Sequence, residues 1–181
     1  MKKNIFILNL ACILIGAQFL TAQEEHMMHM KSITNRAVAL ITPTKGNSIH
    51  GVVTFEKTEK GVHVIAHLTG LTPGKHGFHI HEFGDITSDD GSSAGGHFNP
   101  MNMPHSMPAS EKRHAGDMGN IDANETGNAH LDYIDSVMEL DGDYSIVGHT
   151  VVVHQKEDDL KTQPTGNAGP RIGNGVIGIT K

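Results

Sequence analysis

Apolar and polar residues alternate in short runs along residues 36–180, and no stretch repeats its apolar positions every three to four residues. Alternation with period two puts one set of side chains on one face of an extended strand. RAVALIT (36–42), SIHGVVTF (48–55), GVHVIAHL (61–68) and HGFHIHEF (76–83) follow one another, separated by turn-forming residues at 43–47, 57–61 and 72–75. NAHLDYI (128–134), YSIVGHTVVVH (144–154) and GVIGIT (175–180) read the same way. Short strands between turn signals predict an all-β domain, an antiparallel sandwich or barrel. Two connections, 84–113 and 155–174, are too long for hairpins. Connections of that length are usually functional or disordered, and both adjoin histidines, which favours function.

The chain has 181 residues, enough for one medium domain. Lys2 and Lys3 precede an apolar run over 5–20, and small Ala22 closes it before Gln23. That order of charged, apolar and small residues is that of a secretory signal. The run is short for a membrane span and is interrupted by Asn9 and Gln18. A lipid anchor at Cys12 is disfavoured, because Asn9 stands where such signals carry an apolar residue. The expected organisation is a signal peptide over 1–22, a flexible tail over 23–35 that holds EEHMMHM, and one domain over 36–181. Without residues 1–22, 12 basic residues face 20 acidic ones, a formal net of −8. Neither nucleic acid nor an anionic membrane surface suits that charge. The sole cysteine, Cys12, also goes with the signal. The exported domain then has no intrachain disulfide and no thiol chemistry.

Histidine is the outlier, with 14 copies. His79 and His81 stand two apart in one strand and so share a face. His97 lies in GGHFNP, His105 follows Pro104, His114 opens HAGD, which ends at Asp117, and His154 ends VVVH. Imidazole suits copper and zinc, and a carboxylate suits zinc better than Cu(I). These seven ligands are too many for one tetrahedral zinc. They fall one short of two four-coordinate metals, unless one imidazole serves both through its two nitrogens.

With those residues in view, the chain resembles the copper/zinc superoxide dismutases. The motifs that carry the resemblance are GFHIHEFGD, GGHFNP, RHAGDMGN, VVVHQKEDDL and GNAGPRIGNGVIGI, in that order. It implies a Greek-key β-barrel or sandwich of about eight strands with two long functional loops. It also implies one copper and one zinc per subunit. Copper would be held by His79, His81, His97 and His154, and zinc by His97, His105, His114 and Asp117. His97 would be the shared, bridging ligand. Asp158 would join His79 to His105 from outside the metals. Arg171 would attract superoxide on a protein of unfavourable total charge; Lys161, in the short connection, is a further candidate that the resemblance itself does not carry. His76 matches a position that supports the copper strand and is not a ligand. The implied activity is disproportionation of superoxide by Cu(II)/Cu(I) cycling, with His97 and Arg171 as catalytic residues. The alternative is a non-catalytic copper-binding or copper-storage protein on the same fold, which could dispense with Arg171 or a copper histidine.

The chain also departs from the family pattern. The positions of the family's intrasubunit disulfide fall near Gly91 and at Asn174. The loop over 87–96 is therefore expected to be more mobile, and folding to lean more on metal. Homodimerisation, in which that loop often takes part, is left open. The short connection over 160–170 resembles that of exported bacterial members, which points to the periplasm ahead of the exterior or a lipid anchor. Thioether and imidazole groups in the His26 to Met30 segment suit capture of copper by the tail.

Overall fold

The computed structural model describes residues 34–181; the expected signal peptide and most of the expected tail lie outside them. Eight strands form: β1 Arg36–Pro43, β2 His50–Thr58, β3 Gly61–Thr69, β4 Gly74–His81, β5 Asp117–Ala123, β6 Ala129–Asp135, β7 Thr150–His154 and β8 Arg171–Ile179. They close into one antiparallel barrel in the order β1-β2-β3-β6-β5-β4-β7-β8, with β8 pairing back on β1. β3 pairs with β6, and β4 lies between β5 and β7, so the chain crosses between non-consecutive strands in Greek-key fashion.

Alternation explains most of the barrel. Ala37, Ala39 and Ile41 of β1, Val53 and Phe55 of β2, and Val64, Ala66 and Leu68 of β3 are buried in one core, and their neighbours in sequence face outward. β4 and β7 differ, because both of their faces are covered. Phe78 and Ile80 of β4 and Val151 and Val153 of β7 enter the core. His79, His81 and His154 point the other way, yet they are only 0%, 1% and 4% exposed. Their cover is the two long connections, residues 82–116 and 155–170.

The structure corrects the sequence expectation in three places, and the simplest is the last strand, which begins at Arg171 inside the expected connection over 155–174. β5 was not among the alternating runs, because DMGNIDA carries two aspartates, a glycine and an asparagine. Only Met118, Ile121 and Ala123 of that strand reach the core. The run over 144–154 is a strand only from Thr150. Before that the chain turns, with Gly148 at φ +86° and His149 N–H donating to Ile146 O.

Arg113 fastens the first long connection to the barrel. Its side chain is 1% exposed and makes a two-pronged ion pair with Asp135 at the end of β6, at 2.6 and 2.7 Å. It also donates to the carbonyls of Pro108, His114 and Asp117. Asp135 in turn accepts from Val137 N–H and Met138 N–H. Removing one partner of such a pair strands a buried charge. Asp135→Ala is therefore expected to cost about 3–5 kcal/mol of stability, read from the denaturant midpoint. A midpoint equal to that of the parent protein would remove Arg113 from its anchoring role.

Candidate metal centre

The seven residues singled out as ligands come together in two adjoining buried clusters. His79, His81, His97 and His154 form one, and His97, His105, His114 and Asp117 the other; in each, one donor atom per residue lies within 4.8 Å of the rest. Register explains the assembly. His79 is opposite Val152 and His81 opposite Thr150, which lays β4 beside β7 and brings His154 to the same surface. A single bridge between His81 and His97 draws the first long connection across that surface. Asp117 enters as the first residue of β5, opposite His79.

In the first cluster, oxygen acceptors decide which ring nitrogen faces inward. His81 Nδ1 lies 2.9 Å from Gly95 O and His154 Nδ1 lies 2.9 Å from Gly169 O. A carbonyl can only accept, so in the neutral rings both Nδ1 atoms carry the proton. The two Nε2 atoms then oppose each other as bare lone pairs 3.3 Å apart. His79 repeats the arrangement with its nitrogens exchanged. Its Nε2 donates to Asp158 Oδ2 at 2.8 Å, and its Nδ1 is buried without any partner. His97 Nε2 is likewise buried and unpartnered. Four converging lone pairs with no donor among them fit a cation that imidazole binds well, copper above all.

The second cluster is built round one carboxylate oxygen. Asp117 Oδ1 lies 2.8 Å from His97 Nδ1, 2.9 Å from His105 Nδ1 and 3.2 Å from His114 Nδ1. Its other oxygen accepts the backbone N–H groups of Ser106 and His114. Three imidazoles and one carboxylate are a set that suits tetrahedral zinc. His97 thus offers Nδ1 to this cluster and Nε2 to the first.

Asp158 ties the two clusters together, with Oδ2 on His79 Nε2 and Oδ1 on His105 Nε2 at 3.0 Å. Two carboxamides that the sequence reading missed hold this arrangement. Asn120 accepts from Asp158 N–H and donates to Asp158 O, at 2.8 and 2.9 Å. Gln163 does the same for His105, both at 2.8 Å. Each clamps a backbone across two loops, a pairing that no local sequence signal announces. Gly166, at φ +67°, closes over the same point; a Cβ there would stand 1.7 Å from Asp158 Oδ1. His76 bridges Thr72 O and His154 O, in keeping with support and not ligation.

Arg171, paired with His154 across β7 and β8, donates to Gly91 O and Gly95 O. The carbonyl of Gly95 is also the acceptor for His81, so the cation and that ring share one loop residue. A Cβ on Gly91 would lie 3.2 Å from Asn174 Nδ2, so the two positions face each other with no covalent link between them.

Residues 49–177 match the family model for copper/zinc superoxide dismutase. The chain is 47% identical to superoxide dismutase [Cu-Zn] 3 of Arabidopsis thaliana over 151 residues, 80% of this chain and 90% of that protein. It is also 47% identical to the extracellular superoxide dismutase [Cu-Zn] of Drosophila melanogaster over 150 residues, 77% and 82% of the two chains. The crystal structure of the clock protein EA4 superposes with a TM-score of 0.76 at 40% identity, covering 82% of this chain and 97% of that one.

Without metal, the clusters set a pH dependence. Burial lowers His79 to about 3 and His154 to about 4, against the partial support of Asp158 and Gly169 O, and it depresses His81 and His97 as well. Burial opposes the charge on His105 too, but hydrogen bonds to Asp117 and Asp158 outweigh it and raise that ring to about 9. Unfolded histidines take up protons near pH ~6.5, while the four depressed rings stay neutral in the fold. Stability is therefore lost as pH falls from about 6.5 to 4. His105 contributes fully below pH ~6.5 and loses its contribution as pH rises to about 9. The metal-free chain should be most stable near pH ~6.5, with denaturant midpoints lower on both sides. A midpoint constant over this range would contradict the account.

Proposed function

The chain belongs to the copper/zinc superoxide dismutase family, and we propose that its two buried clusters divide the metals between them. The protein is a superoxide dismutase that uses copper and zinc, converting two superoxide anions and two protons to oxygen and hydrogen peroxide. His79, His81, His97 and His154 hold copper. His97, His105, His114 and Asp117 hold zinc, and His97 is the ligand common to both. The observation that carries this division is the set of buried nitrogens without donors, His79 Nδ1 and His97 Nε2 beside the opposed Nε2 atoms of His81 and His154.

Copper, when bound, supplies a one-electron couple that can accept an electron from one superoxide and return one to a second, while zinc supplies a fixed divalent charge. The chain's residues do the rest. Arg171 uses some of its five donors on Gly91 and Gly95, which fixes the guanidinium beside His81 and leaves the others for a small anion. Its charge lies at the site itself, so it attracts superoxide despite the negative total. His97 is held on its Nδ1 side and can carry a proton at Nε2 toward the departing peroxide. Asp158 and the carbonyls of Gly95 and Gly169 keep the other rings from turning.

Residues 1–22 act as a signal peptide in this reading, and the product is exported. A relative named as extracellular supports export; the periplasm is the destination we propose. The His26 to Met30 tail, outside the described residues, delivers copper. Two copies pair through exposed Phe83 and Val176, which flank Gly84.

The test is superoxide decay by stopped flow with the exported chain carrying both metals. Decay near the diffusion limit is expected, lost on His154→Ala and reduced about 10-fold or more on Arg171→Ala. Full copper content without accelerated decay would make this a copper-holding protein instead. Sedimentation of the same sample as a monomer would remove the pairing.

A further inference from the structure

Of the 14 histidines, six belong to the metal centre and His76 braces it. His149 contacts Glu82 O, and His26 and His29 lie outside the described residues. The remaining four, His50, His63, His67 and His130, all occupy the outer face of β2, β3 and β6. The barrel turns the apolar neighbours of His63, His67 and His130 inward, so these rings face away from the core.

His67 and His130 are directly opposite each other in the β3–β6 ladder. Cβ atoms of such a pair lie ~4.5–5.5 Å apart, close enough for both side chains to reach one ion. Their rings stack with centroids 4.5 Å apart and planes 24° from parallel. Both residues are exposed, and the His67 ring has room to turn toward a point shared with His130. His130 Nδ1 lies 3.2 Å from Ala66 O. That carbonyl accepts the Nδ1 proton and leaves Nε2 as a lone pair, the same device that orients His81 and His154 in the buried centre. Asp132, two residues along β6 on the same face, is held by His63 at 2.7 Å and adds negative charge beside the pair.

We propose that His67 and His130 form a second, surface site for a divalent late transition metal, Cu(II) before Zn(II) in affinity. It is separate from the buried centre and does not depend on it for geometry. Two protein ligands leave most of the coordination sphere to solvent, so the ion exchanges freely. The rigid ladder supplies the preorganisation that a flexible segment lacks. The exported enzyme would then carry a docking point for copper on the wall of its barrel, independent of turnover.

The test uses the full-length exported enzyme with its buried centre already loaded, titrated with Cu(II) by calorimetry. The variant H67Q/H130Q should take up one equivalent fewer than the parent protein while keeping its superoxide decay. Equal uptake by the two proteins would overturn the proposal, and the comparison cancels any copper held by the tail. As a second readout that needs no variant, ring-proton NMR of the parent protein should show His67 and His130 broadening first as Cu(II) is added. Broadening that leaves both rings untouched would overturn it as well.

Discussion

Everything in the metal centre depends on how six buried imidazoles are kept from satisfying one another. A buried ring needs an oxygen for its N–H, and a polar atom left without a partner costs about 1–3 kcal/mol. Here Gly95 O, Gly169 O, Asp117 and Asp158 take the N–H groups of His81, His154, His97, His105 and His79. The nitrogens that remain on His79, His81, His97 and His154 face inward and have nothing to accept from, whereas His105 meets a carboxylate at each nitrogen. The first cluster thus carries an electrostatic demand for a cation, built by outer hydrogen bonds before any metal arrives, and the second offers the carboxylate of Asp117 among three imidazoles.

The barrel makes that demand geometrically possible. β4 and β7 supply three rings from a rigid sheet, on a part of the wall where both faces are buried. The two long connections close over it and are fixed by side chains that grip backbone: Asn120 on Asp158, Gln163 on His105, and Arg113 on the carbonyls round His114. Arg171 belongs to the same scheme, since it holds Gly91 and Gly95 where the family pattern carries a disulfide. The residue proposed to draw in the substrate also holds the loop that orients His81.

The sequence disclosed the strands whose faces differ in environment. RAVALIT and GVHVIAHL alternate because one side meets the core and the other meets water. β5 was hidden because its polar residues are tied to the site and its apolar ones are few. The clustered side chains were legible, since six histidines and an aspartate at strand ends and in one long loop say together what none says alone. Arg113, Asn120 and Gln163 were not. Their partners are backbone groups or a distant carboxylate, and a carboxamide in a loop looks like any other until the chain has folded. The four histidines on the outer face of β2, β3 and β6 were visible only as excess composition until register set His67 against His130.

The sharing of His97 by both clusters, through Nδ1 on one side and Nε2 on the other, is the feature on which the whole centre turns. It is tested most directly by loading the zinc cluster with Co(II) and the copper cluster with Cu(II), then recording the electron paramagnetic resonance spectrum. A shared imidazole couples the two spins, and the account predicts that the ordinary Cu(II) signal disappears. An undisturbed Cu(II) signal, with both metals present at full occupancy, would contradict it.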